Sequence, residues 1–302
     1  MRMCSLWFAL LAAGAVTAAR AATFEQHVPA DPRGEVDVSN VSGAIDITGW
    51  DKPEVYVKAD TRSDSTKVEV TSERGHVSIR VIGHEGGISL FGGLIGSGGA
   101  ARLHVEVPRG SELDVSAVSA DVTSRGMLGT QRLQSVSGDI TADVSGVDAD
   151  VKSVSGDIQL RGNAQPGHFH VSSVSGDVSL QNSAGDLDAT TTSGEISADL
   201  SPAGSVRLHT TSGDLTVTGR VGSGGTVEAQ TVSGDATVRA GAQNGYEYEV
   251  RTFSGDIDDC FGKPAERTSR YGPGKSLMGR LGSGGARLRI NTLSGDVSLC
   301  DH

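Results

Sequence analysis

Large side chains are scarce in this chain. Aromatic residues make up 4% of its 302 residues and all apolar types together 36%, while glycine occurs 42 times. Such a composition excludes a deep round core and leaves a thin one, built from Val, Ile, Leu, Ala and Thr, as in arrays that lengthen by stacking. No period of 3.6 residues appears after the first 22 residues, so amphipathic helices are not expected. Beyond the N-terminal stretch no run approaches the roughly 20 apolar residues of a spanning helix. Gly-x-Ser-x-Gly, His-Glu-x-x-His and the full phosphate-cradling pattern Gly-x-x-x-x-Gly-Lys-Ser/Thr are all missing. Positive charge is also short: 26 Lys and Arg face 37 Asp and Glu, for a net charge of −11. Loss of a leader containing Arg2 and Arg20 makes this −11 − 2 = −13. That balance disfavours nucleic acid and anionic lipid as partners.

What the chain has is a repeat. Ser-Gly-Asp or Ser-Gly-Glu recurs around Gly138, Gly156, Gly176, Gly194, Gly213, Gly234, Gly255 and Gly295, at intervals of 18, 20, 18, 19, 21, 21 and 40 residues. A fixed period of this size signals a solenoid. Each interval holds two short runs with the period of two that strands show, and too few residues for a helix. Counting from the glycine, apolar residues favour −7, −5, −2, +2 and +4, as in Val206, Leu208, Thr211, Leu215 and Val217, or Leu288, Ile290, Leu293, Val297 and Leu299. The step of three from −5 to −2 places a bend between the strands. Position −3 is always Ser or Thr, a residue that can bond the corner backbone. The fold expected is all-β: a single-stack parallel β-helix, or β-solenoid, of about 18–21-residue coils with an irregular β N-terminal cap.

Residues 1–22 read as a secretory signal peptide, with a basic start, an apolar run from Leu6 to Val16 and the small-residue exit Ala19-Arg20-Ala21-Ala22. Residues 23–111 alternate apolar and polar less regularly, with Val41-Ser42-Gly43-Ala44 a degenerate repeat, and contain the Gly-rich loop 83–100. In that loop Leu90, Phe91, Leu94 and Ile95 form either an apolar contact or an insertion folded over the coil end. Residues 112–302 are the repeats, with a basic C-terminal excursion at 261–285 that carries Lys263, Arg267, Arg270, Lys275 and Arg280. Salt bridges to nearby carboxylates are the expected use of those cations.

Three cysteines occur, and the leader takes Cys4. Cys260 and Cys300 each lie five residues after their glycine, and equivalent positions in adjacent parallel coils are about 4.8 Å apart, within a disulfide's Cα range. A Cys260–Cys300 disulfide is expected, since export favours oxidation.

The candidate binding surface is an outward stripe of Asp139, Asp157, Asp177, Glu195, Asp214, Asp235, Asp256 and Asp296. Like charges at the coil spacing repel, so backbone amides at the turn, bound Ca²⁺ or a cationic partner must relieve them. Amide capping is the preferred remedy. One carboxylate per coil falls short of calcium's six to eight oxygens, so no cofactor and no metal ligands are assigned. His168 and His170 share a strand face but lack a third ligand. Asn40-Val41-Ser42 matches a glycosylation sequon inside a repeat. The only local acid cluster, Asp256, Asp258 and Asp259, is a weak basis for catalysis, because iterated carboxylates are unlike a catalytic pair.

The run Gly43-Ala44-Ile45-Asp46-Ile47-Thr48-Gly49-Trp50-Asp51, then Val105-Glu106-Val107-Pro108-Arg109-Gly110, then serial Val-Ser-Gly-Asp copies, resembles the bacterial "putative-adhesin" domain family of unknown function. The tail from Glu266 to Gly274, followed by Gly282-Ser283-Gly284-Gly285-Ala286, is similar to that family's ending. The resemblance implies a β-solenoid at the envelope or cell surface and brings no catalytic residues. The expectation is an exported non-enzymatic adhesin-like binding or scaffolding module, periplasmic, cell-surface or extracellular, whose partner is an envelope or surface component. The alternatives are a structural, self-associating envelope protein and a polysaccharide-active β-helix enzyme.

Overall fold

The computed structural model describes residues 22–61, 66–83, 88–90, 93–95, 100–269 and 272–301. The expected leader, most of the Gly-rich loop, Arg270 and the loop's Phe91 lie outside them, and within that loop only the antiparallel pair Ile88–Leu90 and Gly93–Ile95 is described. All described elements are strands joined by turns, so the protein is all-β. No helix long and apolar enough to cross a membrane occurs among the described residues.

Each repeat is two strand segments meeting at a corner, and equivalent positions of neighbouring repeats pair in parallel register: Val151 with Leu133 on one side and Val171 on the other, Ile158 with Ile140 and Val178. Parity inside a coil follows burial. In the Gly156 coil Ala149, Val151, Ser153, Gly156, Ile158 and Leu160 are all buried, which makes the inward positions −7, −5, −3, 0, +2 and +4. This corrects the sequence reading at the corner. The step of three falls between −3 and the glycine, so the Ser or Thr at −3 points in and the apolar residue at −2 points out. Thr210 and Thr292 are buried, whereas Thr211 is exposed and Leu293 is 52% exposed.

A hydroxyl can take the inner place because its hydrogen bond is satisfied there. In the serine coils the hydroxyl accepts from the glycine N–H three residues on, at 2.9 Å for Ser135, Ser153 and Ser173. In the threonine coils Oγ1 instead donates to a neighbouring coil's glycine carbonyl, Thr231 to Gly213 at 3.2 Å and Thr252 to Gly295 at 3.1 Å.

Glycine is required by closeness of approach. A Cβ on Gly156 would lie 2.1 Å from the Gly138 carbonyl oxygen, and one on Gly176 would lie 2.1 Å from that of Gly156. The same contacts give the order of the coils, and it departs from chain order at the C-terminal end. Gly295 abuts Gly234, and Gly255 abuts Gly295. The coil that comes last in sequence is thus inserted between the Gly234 and Gly255 coils, with Ala286–Ser294 pairing in parallel to Leu215–Ser233 and to Tyr246–Ser254. A similar inversion marks the other end. Glu35–Trp50 lies between Glu112–Arg125 and a row made of His76–Ile82 and Ala100–Pro108.

Antiparallel strands then cover both ends: Lys67–Glu73 on His76–Ile82, Glu54–Thr61 on Ala100–Pro108, and Lys275–Arg280 on Tyr246–Ser254. Covering the open edges removes the unpaired backbone that invites further strands. Tyr246, Tyr248 and Phe261 fill the C-terminal end, with ring centroids 6.1 and 5.9 Å apart in succession.

Candidate interaction surface

At the corner, all eight acids of the predicted stripe, from Asp139 to Asp296, are exposed. Each aspartate except Asp256, which ends the series, accepts a hydrogen bond from the backbone N–H of its counterpart in the next coil: Asp157 N–H to Asp139 at 3.0 Å, Asp177 to Asp157 at 3.0 Å, Glu195 to Asp177 at 2.9 Å, Asp235 to Asp214 at 2.8 Å, Asp296 to Asp235 at 2.8 Å and Asp256 to Asp296 at 2.7 Å. Amide donors are thus what the carboxylates use against their mutual repulsion. The series also retraces the inserted coil, running from 235 to 296 to 256.

Beside this acidic line runs an apolar one, created by the outward −2 position. Val154, Val174 and Val232 are 36%, 46% and 38% exposed, and Leu293 and Phe253 are 52% and 56% exposed. Thr192 and Thr211, also exposed, and the half-buried Val136 fill the three remaining places. Apolar groups aligned along one corner and bordered by serine and carboxylate differ from the singly scattered surface hydrophobics of an ordinary protein. Parity had assigned these residues to the core, so the sequence reading missed them.

A second pattern lies on the outer face of the first strand segment. Position −6 there reads Asp114, Arg132, Asp150, His170, Asp188, Arg207, Glu228, Arg289, Glu249 in coil order. Acid and base alternate on every rung. In chain order Glu228 and Glu249 would be neighbours, and insertion of the last coil places Arg289 between them. Reading this column in the spatial order of the coils is the signal that could have found it.

The alternation breaks at one place. Asp37 pairs with Asp114, and Glu35 pairs with Glu112 beside them. Burial, added to by the other carboxylates, raises the carboxyls of both Asp37 and Asp114 above the ordinary range, with His76 opposing this at Asp37 and Arg132 at Asp114. His76 reaches in from the adjacent row, its Nε2 3.1 Å from Asp37 Oδ2 and its Nδ1 3.4 Å from Glu35 Oε2.

Several of the other sequence candidates have structural partners. Cys260 and Cys300 form a disulfide with Cα atoms 5.1 Å apart. His168 and His170 face outward, and His168 Nδ1 lies 3.3 Å from Asp186 Oδ2. Asp256 pairs with Lys275, and an Asp259 oxygen accepts the Lys263 N–H at 2.9 Å. Arg280 pairs with Glu247, so two of the excursion's cations are spent on internal salt bridges. Asn40 is fully buried at the corner and donates to the Ala101 carbonyl at 2.9 Å, leaving its amide no access for a glycan in the folded chain.

No curated protein matches the chain. Three solved structures with similarity to it are a "putative cell adhesion protein" from Clostridium sporogenes (10% identity, covering 92% of this chain and 98% of that one, TM-score 0.21), a "putative lipid binding protein" from Parabacteroides distasonis (11%, 92% and 96%, TM-score 0.39) and a "putative adhesin" from the same species (10%, 93% and 98%, TM-score 0.34). With TM-scores this low, none of these likenesses bears on what the chain binds. The match to a family model is decisive in extent, covering residues 34–223 and 201–300. The chain belongs to the Toastrack DUF4097 family.

Proposed function

We propose that this chain is an exported, non-enzymatic binding or scaffolding module of the cell envelope, built as a single-stack β-solenoid that presents one corner to an extended partner. The exposed apolar line at −2, running beside the carboxylate line at +1, carries this reading. A partner complementary to it has apolar groups to cover Val174, Leu293 and Phe253, and basic groups to meet the acids, arranged along an extended segment. Burial of aligned apolar surface supplies affinity, at about 25 cal/mol per Å² before the costs of association, and the carboxylates supply orientation and on-rate. The leader expected from the sequence of residues 1–22 and the Cys260–Cys300 disulfide support export, because disulfides persist in oxidising compartments.

The test is a pull-down from envelope extract with the chain as bait, compared with a Val174→Ser, Leu293→Ser, Phe253→Ser variant. Loss of a saturable envelope partner in the variant is the expected result. Undiminished capture by the variant overturns the assignment to this corner. Light scattering on the purified chain separates a foreign partner from self-association: a concentration-dependent oligomer dispersed by the same three changes identifies a second copy as the occupant.

A further inference from the structure

The charge column on the outer sheet face identifies one position where the protein's own side chains leave negative charge unbalanced. Along nine successive rungs each acid meets a base, and at the next rung Asp114 meets Asp37, with Glu35 and Glu112 alongside. Glu35, Asp37 and His76 present ligand atoms that all lie within 4.8 Å of one another. A tetrahedral centre with bonds of about 2.0–2.1 Å separates its ligand atoms by about 3.3–3.4 Å. Only one nitrogen of His76 can bind a given ion, and the Nε2–Oδ2 distance of 3.1 Å to Asp37 is already close to that spacing.

A second observation at the same place is independent of the acids. Ser78 is the register partner of Asp37 and stands two residues from His76 on the same strand face. It is 6% exposed, yet its hydroxyl has no hydrogen-bond partner among the described residues. Ser78 and His76 line one cavity of about 260 Å³ together with Glu69, Thr71, Glu73 and Arg80. A buried hydroxyl without a partner is costly unless something else engages it. A cation at Asp37 and His76, with its bound water, would engage it.

We propose that Glu35, Asp37 and His76 form a binding site for a divalent transition cation of the Zn²⁺ type, at the end of the stack formed by the N-terminal strands. Mixed imidazole and carboxylate ligands suit such a cation better than calcium, which takes six to eight oxygens. Glu35 and Asp37 lie on one strand and His76 on its neighbour, so all three ligands are held by paired backbone. The cation offsets the Asp37–Asp114 repulsion. The site is separate from the apolar corner proposed above and stands whether or not that corner binds a partner.

The experiment is calorimetric titration of the metal-free chain with Zn²⁺. One site per chain is expected, weakened at least tenfold by His76→Gln and by Asp37→Asn. It should be unchanged in His168→Gln/His170→Gln, which removes the other outward histidine pair, and in Asp157→Asn from the corner. The wild-type chain provides a readout that needs no variant: imidazole resonances followed by NMR should show His76 perturbed at sub-stoichiometric Zn²⁺ ahead of the other histidines. Absence of saturable binding, affinity indifferent to His76→Gln in a variant that retains its fold, or first perturbation at His168 or His170 would each overturn the proposal.

Discussion

The backbone N–H of Asp157 donates to a carboxylate oxygen of Asp139 at 3.0 Å, and the Asp157 carboxylate in turn accepts from Asp177, also at 3.0 Å. Each aspartate is therefore both a rung and a cap, and a charge-assisted bond of this kind is stronger than a neutral one. Asp157→Ala should lower stability by about 1–2 kcal/mol, because it leaves the Asp177 amide without its acceptor. The ladder skips one rung: Glu195, a methylene longer, accepts from no amide among the described residues. Glu195→Asp should close that gap and raise stability by about 0.5–1 kcal/mol. Urea unfolding of both variants checks the pair.

Two glycines separate two reasons for glycine. Gly176→Ala drives a Cβ to 2.1 Å from the Gly156 carbonyl oxygen, a backbone atom that cannot swing aside. Gly224 has φ of +77° and nothing within 4 Å, so alanine there meets only conformational strain. The first change should cost about 3 kcal/mol or more by forcing coils apart, the second about 1 kcal/mol. Equal losses in thermal unfolding would contradict the close-approach explanation of the repeat glycine.

The disulfide fastens the inserted coil. Cys300 ends the Gly295 coil and Cys260 ends the Gly255 coil beyond it, so the bond closes the sequence separation of 40 residues that contains the antiparallel Lys275–Arg280 strand. A loop of this length implies roughly 4 kcal/mol from restriction of the unfolded chain. Replacing both cysteines with serine should lose a large part of that. Hydrogen exchange should rise first in 246–259 and 286–300, while residues around Ile140 and Ile158 stay protected.

Much of this architecture is legible in sequence because it rests on local chemistry. The glycine period, the parity of +2 and +4 and the equivalent placement of Cys260 and Cys300 each need only one coil and its neighbour. The corner misleads for a physical reason. Hydropathy favours burying Leu293 over Thr292, but the turn leaves one of two adjacent residues inside, and a hydroxyl bonded to the Gly234 carbonyl at 3.3 Å fits where leucine cannot. The order of coils at the two ends escapes a chain-order reading altogether. Arg289 becomes the neighbour of Glu228 across 61 residues of chain, and the acid–base column appears only after that insertion is known. The Glu35, Asp37 and His76 cluster is hidden for the same reason, because His76 joins the other two through a non-sequential row.

Asp114 gives the pH dependence its sign. Burial first, then repulsion from Asp37, raises its folded-state carboxyl above the ordinary value of 3.8, and Arg132 only partly offsets this. Between 3.8 and the raised value the folded chain therefore holds more proton than the unfolded chain. Stability falls as pH rises through that window, and the penalty is complete above it. Asp114→Asn, in chelator-treated buffer, should raise the melting temperature by about 1–2 °C at neutral pH, since a half-exposed charge is worth at most about 1 kcal/mol. The gain should vanish as pH drops toward 3.8. A constant gain down to that pH would place the effect in packing instead.

Arg289 tests the charge column and the coil order together. It stands between Glu228 and Glu249, with its Nε 3.6 Å from a Glu249 carboxylate oxygen. In a stack that followed chain order, Arg289 would stand at the end beside Glu249 alone, so Glu228 would not answer its reversal. In the observed order Arg289→Glu lines up three acids on consecutive rungs. The expected loss is about 1 kcal/mol at low salt, shrinking as added salt screens exposed charges. Glu249→Arg in the same chain restores one pairing and should recover about half of that loss, giving a positive coupling in the double-mutant cycle. Glu228→Arg should rescue to a similar extent, because the inserted coil makes both glutamates neighbours of the same guanidinium. Rescue by Glu249 alone would show that Arg289 does not lie between them.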